Sequence, residues 1–268
     1  FFSFSYLVFK PRPRYMCMRL LLLFIDEPIP GKVLPEIEAE LGASRASDIY
    51  KAMVEVMLRQ LQGLENCRIR FCYSPDDACD ATKFWLLPEM AATSCETKNV
   101  YVTSNSQFPN AQTQEIDFRS QGEGSIDKRL ERAFNDGFSD GYREIAIVDP
   151  TCIECGARWI NASFARLHKE TSRDTIIGPS NQGNHYLLAL KSAAPELFQE
   201  TLDPKQNEQE QKQSLLSISE SHAQKIGRET ELLPPLSVTS TPSDWQRLLA
   251  TPLGPALKKA LGEPIDQI

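Results

Sequence analysis

The chain has 268 residues, of which 41% are hydrophobic and 24% charged, a composition that fits a folded globular protein and excludes a disordered or fibrous one. Lys10, Arg12, Arg14 and Arg19 precede the first acidic residue, Asp26; with a net charge of −7 overall, the rest of the chain carries −11. That sign excludes general nucleic-acid binding, because a phosphate backbone must be met by clustered Lys and Arg.

The length suits one large core and no long linker divides it, so one domain is expected, over residues 18–250, with a tail over 251–268. The opening FFSFSYLVF is apolar for only nine residues. That is too short to span a bilayer, and it lacks the preceding positive region of a secretory signal. Residues 1–17 are expected to be an extension that need not belong to the native protein.

Arg19 to Ile25, RLLLLFI, is a continuous apolar run closed by DEPIPG, as in a strand buried on both faces. Ile49, Met53, Val56, Met57 and Leu61 recur at helical spacing between Ser44 and Leu61, with Gly63 as a stop. Cys67 to Tyr73 reads as a strand, Asp76 to Met90 as a helix, and Lys98 to Thr103 as another strand before the polar loop SNSQFPNAQTQ. Ser125 to Phe138 carries the apolar stripe Ile126, Leu130, Ala133, Phe134 and Phe138. Glu144 to Val148 is a strand ended by Asp149-Pro150, and Ala157 to Lys169 a helix. Thr175 to Ile177 and Tyr186 to Leu190 are strands around GPSNQGNH. A polar stretch from Pro204 to Lys212 precedes a helix reaching Lys225. A last helix begins near Ser243, capped by Thr241 or Ser243.

Strands separated by helices imply an α/β protein of three layers, α/β/α, with a mostly parallel sheet. Ligands of such sheets sit beyond the carboxyl ends of the strands. The loops after Ile25, Tyr73, Val148 and Ile177 are therefore the places to inspect.

The seven cysteines are irregularly spaced and read as mostly free thiols of a reducing compartment, so the cytoplasm is expected. Cys152 and Cys155 form a CxxC, which leaves a redox pair or half of a metal site as alternatives. In DEPIPGKV, Gly31 and Lys32 offer an amide and an ammonium to a phosphate, or else form an ordinary turn; the spacing is not that of a Walker loop. In QGEGSIDKRLERAF, Gly122 and Gly124 permit close backbone approach to a ligand at a helix start, while Asp127, Lys128, Arg129, Glu131 and Arg132 read as a solvated face. In EIAIVDPTCIEC, Asp149 and Glu154 lie where a sheet protein would hold Mg²⁺ or Mn²⁺ against a diphosphate, unless Asp149-Pro150 merely ends the strand. In GPSNQGNHY, Gln182 belongs to a loop of neutral hydrogen-bonding groups suited to a sugar hydroxyl, and His185 is a proton carrier.

Taken in order, these stretches resemble a family of small bacterial nucleotide-diphospho-sugar transferases, the group that includes arsenosugar-biosynthesis glycosyltransferases. PIPGKVLPEIEAELG is similar to PxPGxxKTRLxxxLG, QGEGSIDKRLERAF to QGEGDLGERMxxAF, GPSNQGNHYLLAL to GPxxDGGYYLLGL, and LLPPLSVTSTPSDW to LLPPLxDVDTPEDL. The similarity spans Met18 to Leu249. It implies a glycosyltransferase A-type fold, a nucleotide-sugar ligand and a metal-held diphosphate.

The departures cluster at the implied chemistry. Leu34, Pro35 and Glu36 stand against Lys-Thr-Arg. Thr151 and Glu154 stand at the two aspartates of GSDCPDL. Gln182 replaces the aspartate of the DGG turn, with Asn184 and His185 after it. Val238 and Ser240 replace the aspartates of DVD. Neutral oxygens hold a hard cation much less well than carboxylates. The expectation is a transferase relative with weakened or lost catalysis. Its alternatives are an active transferase rearranged around Asp149, Glu154 and His185, and a binding or scaffold protein using the N-terminal tail or the insert near Pro204.

Overall fold

A computed structural model describes residues 19–94, 101–102, 115–169, 174–182, 185–198 and 227–264. The expectations for residues 1–17, the insert near Pro204, the helix reaching Lys225 and Asn184 lie outside these residues.

The strands are β1 (Arg19–Asp26), β2 (Cys67–Ser74), β3 (Tyr101–Val102), β4 (Glu115–Ser120), β5 (Glu144–Val148), β6 (Thr175–Pro179), β7 (His185–Leu190) and β8 (Thr230–Leu232). The helices are α1 (Pro35–Leu41), α2 (Ala43–Gln60), α3 (Cys79–Ser94), α4 (Ile126–Ser139), α5 (Ala157–Lys169), α6 (Pro242–Leu249) and α7 (Gly254–Ala260), with a 3-10 turn over Pro195–Phe198. One eight-stranded sheet runs in the order β3-β4-β2-β1-β5-β7-β6-β8. Of the described strands only β7 opposes the rest, pairing antiparallel with both β5 and β6. The expected mostly parallel α/β sheet is therefore present.

Alternation along β1 sorts its side chains into two cores. Leu21, Leu23 and Ile25 face one cluster with Ile49, Met53 and Met57 of α2, Phe164 of α5 and Trp245 of α6. Leu20, Leu22 and Phe24 face the other, with Leu130, Ala133 and Phe134 of α4 and Leu197 and Phe198. Helices thus cover both faces, which is why β1 reads as an unbroken apolar run. Each fully buried Leu or Ile contributes about 1.5–3 kcal/mol of transfer free energy.

The elements not expected from sequence are short or weakly patterned: α1, β4, the 3-10 turn, β8 and α7. Strand β4, EIDFRS, alternates, but Asp117 and Arg119 hide the pattern. Asp117 is explained by Arg70 of β2. That buried guanidinium bonds Asp117 through Nε (2.8 Å) and Nη2 (3.0 Å), and Asp140 through Nη2 (2.7 Å). Such pairing makes burial of the charge tolerable. Helix α7 lies in the segment expected as a tail, and it puts Leu257 into the α2 and α5 core, fully buried. Helix α3 begins at Cys79 rather than Asp76; Asp76 instead accepts from Ser120 Oγ.

Candidate functional site

The chain leaves β1 toward β2 on one side and reaches β5 on the other, so the strand order reverses between β1 and β5. Ligands of open α/β sheets bind beyond the carboxyl ends of the strands at such a reversal. Asp26 ends β1 and Asp149 follows the last residue of β5, so two carboxylates flank this point.

Asp26 lies on the α4 side of the sheet, continuing the series Leu20, Leu22 and Phe24. It is open to solvent, yet the protein packed around it raises its pKa through desolvation, opposed by the charge of Arg129 and by hydrogen bonds with Gln121 and Ser74. Its backbone N–H donates to the Tyr50 hydroxyl of α2 at 3.0 Å. The Tyr50 hydroxyl is pushed up by burial and by the charges of Asp26 and Asp149. Asp149 is buried, 7% exposed. Desolvation raises its pKa, Thr151 opposes this, and Asp26 adds to it. Thr151 donates to Asp149 Oδ1 from its backbone N (2.8 Å) and from Oγ1 (2.7 Å).

The QGEG loop is built largely by its own helix. Gln121 is buried; its Nε2 donates to Cys72 O at 2.9 Å and its Oε1 accepts from Arg129 Nη1 at 2.8 Å. Arg132 donates to Gln121 O (2.7 Å) and Glu123 O (2.9 Å). Arg129 and Arg132, read from sequence as a solvated face, therefore hold this loop. Gly122 has φ +72, and a Cβ there would come 2.0 Å from Arg132 Nη1. Gly124 has φ +112. Ser125 caps α4 without a side-chain bond, and its Oγ is buried with no partner among the described residues.

Gly31 and Lys32 lie in the exposed turn after β1, where Lys32 N donates to Ile29 O at 3.1 Å. Helix α2 ties this turn through Ser47 Oγ to Pro28 O, 2.5 Å. His185 opens β7 opposite Pro179, next to Tyr186, whose carbonyl accepts from Asp149 N at 2.9 Å. Glu154 is half-buried in the turn after β5. Topology brings all of these to one edge of the sheet.

The positions that the resemblance assigns to aspartates also converge. Thr151 O accepts from Thr239 N (3.2 Å). Gln182 Nε2 donates to Val238 O (2.8 Å) and Asp244 Oδ1 (3.1 Å), while Val238 N donates to Gln182 Oε1 (3.3 Å). Asp244 Oδ2 accepts from Thr241 N (3.1 Å) and Oγ1 (2.8 Å), closing the capping box of α6. Burial alone would raise the Asp244 pKa, but hydrogen bonds from Thr241, Gln182 and Ser240 lower it. Thr151, Gln182, Val238 and Ser240 thus meet as neutral groups already bonded to one another or to Asp149 and Asp244. Among the described residues no three His, Cys, Asp or Glu side chains form a metal-binding group. This donor set does not suit a hard divalent cation.

The CxxC thiols do not serve chemistry at this edge. Cys152 and Cys155 are fully buried, and burial pushes both thiols up, so neither is a thiolate near neutrality. Asp26, Tyr50, Ser74, Gln121 and Arg129 were not singled out as site residues from sequence. The signal available in the sequence is position: Asp26 and Ser74 end strands whose following loops lie at the carboxyl end of the sheet.

A protein from Desulfovibrio desulfuricans G20, provisionally named a nucleotide-diphospho-sugar transferase, superposes with a TM-score of 0.68 at 21% identity, covering 91% of this chain and 96% of that one. A 4-diphosphocytidyl-2C-methyl-D-erythritol synthase from Anaerococcus prevotii DSM 20548 follows with a TM-score of 0.48 at 9% identity, covering 85% and 94%. A cytidylyltransferase from Leptospira borgpetersenii serovar Hardjo-bovis gives 0.47 at 11%, covering 86% and 84%. No curated protein matches the chain. The first superposition gives the fold, that of a nucleotide-diphospho-sugar transferase. Residues 57–202, more than half of the chain, match the family described as "Uncharacterized protein conserved in bacteria (DUF2064)", and the chain belongs to that family.

Proposed function

We propose that the protein binds a nucleotide sugar at the β1–β5 edge and that its metal-dependent transfer is weakened or lost. The observation that carries this reading is the fate of Thr151 and Gln182. Where the resemblance expects carboxylates, a hydroxyl is spent on Asp149 (2.7 Å) and an amide on Val238 (2.8 Å). A cation that bridges a diphosphate supplies the charge stabilisation on which the leaving nucleotide depends. Neutral donors already satisfied within the protein supply little of it. Ligand binding has independent support from the reversal of strand order and from the first turn of α4, where Ser125 Oγ makes no bond to the helix.

The active alternative would need Asp149, Glu154 and His185 to work as a unit, whereas Asp149 Oδ1 is bonded to Thr151. Calorimetry with UDP-glucose and GDP-mannose, with and without Mn²⁺, paired with an assay for released UDP or GDP, tests the reading. The expected result is binding that Mn²⁺ does not strengthen, with turnover absent or far below that of an ordinary enzyme. Mn²⁺-dependent release of nucleotide at about 1 s⁻¹ or more would overturn it.

A further inference from the structure

We infer that Asp26 is the specificity-determining group of this edge, and that it accepts hydrogen bonds from vicinal hydroxyls of the ligand's ribose or hexose. The inference rests on the proposed nucleotide-sugar reading and adds to it a residue and a chemistry. Asp26 stands at the reversal of strand order, on the α4 side, and is open to solvent. Ser74 is its register partner at the end of β2, Gln121 is bonded to the neighbouring Tyr73 and Cys72 carbonyls, and the charge of Arg129 acts on it. The Tyr50 hydroxyl fixes its backbone at 3.0 Å. The strand end that carries the side chain is therefore held in place while the side chain stays accessible.

An ionised carboxylate only accepts hydrogen bonds, and its two oxygens can receive a pair of hydroxyl protons. Asp149 directly follows the neighbouring strand β5, so a phosphate group there would meet two carboxyl groups. Arg129 offsets part of the charge of Asp26, while its Nη1–H and the Arg132 N–H groups are directed at Gln121 and Glu123 rather than at a ligand. The chemistry at Asp26 thus favours neutral hydroxyl donors over anions. The phosphates belong elsewhere along the edge.

The test is calorimetry of wild type, Asp26→Asn and Asp26→Ala with four probes: UDP-glucose, GDP-mannose, UDP and 2′-deoxy-UDP. Thermal unfolding of each variant serves as the check of folding. Loss of a hydrogen bond to a charged acceptor should weaken UDP-glucose or GDP-mannose binding about tenfold or more in both variants. If the effect extends to UDP but not to 2′-deoxy-UDP, the hydroxyls are those of ribose. If neither UDP nor 2′-deoxy-UDP responds, they are those of the hexose. Folded variants that bind nucleotide sugars as tightly as wild type overturn the assignment of Asp26 and leave the proposed function standing. Failure of wild type to bind any probe overturns both.

Discussion

Asp149 and Asp26 carry raised pKa values for the same leading reason, desolvation, and Arg129 offsets it at Asp26 alone. For Asp149 the sign of the linkage follows directly. Its folded-state value lies above the ordinary 3.8, so the folded protein binds this proton more tightly than the unfolded chain. The stability that Asp149 contributes is therefore present below 3.8 and is lost as pH rises through the folded value. Asp149→Asn removes that penalty while keeping an acceptor for Thr151. Its melting temperature at pH 7 should exceed that of wild type, and the gap should shrink as the pH is lowered through the folded value toward 3.8. A gap independent of pH would refute this. The buried CxxC gives a second prediction at this scale: Cys152 and Cys155 should resist alkylation by iodoacetamide in the folded protein and react once it is unfolded, as read by mass spectrometry. Labelling of either in the native state would contradict their burial. Asp149 and the QGEG loop were legible in the sequence because strand ends and paired glycines leave local signatures. Arg129 was not, because a charged residue at helical spacing reads as solvated until its partner Gln121, eight positions earlier, is seen beside it.

Helix α6 begins with a reciprocal capping box between Thr241 and Asp244, and Asp244 also receives Gln182 from the loop before β7. Its lowered pKa gives the opposite linkage: the stabilisation is present above 3.8 and is lost as pH falls through the folded value. Asp244→Ala should cost about 1–2 kcal/mol at pH 7, a cost that fades in acid; an unchanged denaturation midpoint at pH 7 would contradict the cap. The loop before α4 is equally demanding. Gly122 combines φ +72 with the Arg132 guanidinium where a Cβ would sit, so Gly122→Ala should destabilise by roughly 1–2 kcal/mol, measurable by urea unfolding. The long patterned elements, β1, α2, α4 and β5, were legible because their apolar residues repeat at the period of the structure that buries them. Strand β4 escaped because its outward positions are charged, and Asp117 faces Arg70 of β2, a partner 47 residues away. Helix α7 escaped because seven residues are too few for a periodic pattern, and what holds it is Leu257 in a core made by other elements.

At the scale of the molecule, one sheet brings every loop of interest to the same edge, and the order β2-β1-β5 sets Asp26 and Asp149 on either side of the reversal. The fold was readable because layered α/β architecture follows from alternating patterns. The state of the site was only partly readable, since the replaced aspartates are visible one by one in sequence while their convergence is not. Thr151 meets Thr239, and Gln182 meets Val238 and Asp244, across 56 to 88 residues of chain. Among the described residues no helix is long and apolar enough to cross a membrane. The proposed ligand site is the β1–β5 edge. The measurement that addresses it most directly is a crystal structure of the protein soaked with UDP-glucose and GDP-mannose in the absence of metal. Ligand density is expected beyond the ends of β1 and β5, with a sugar hydroxyl within hydrogen-bond distance of Asp26; density at another face of the sheet, with this edge empty, would contradict a site at this edge.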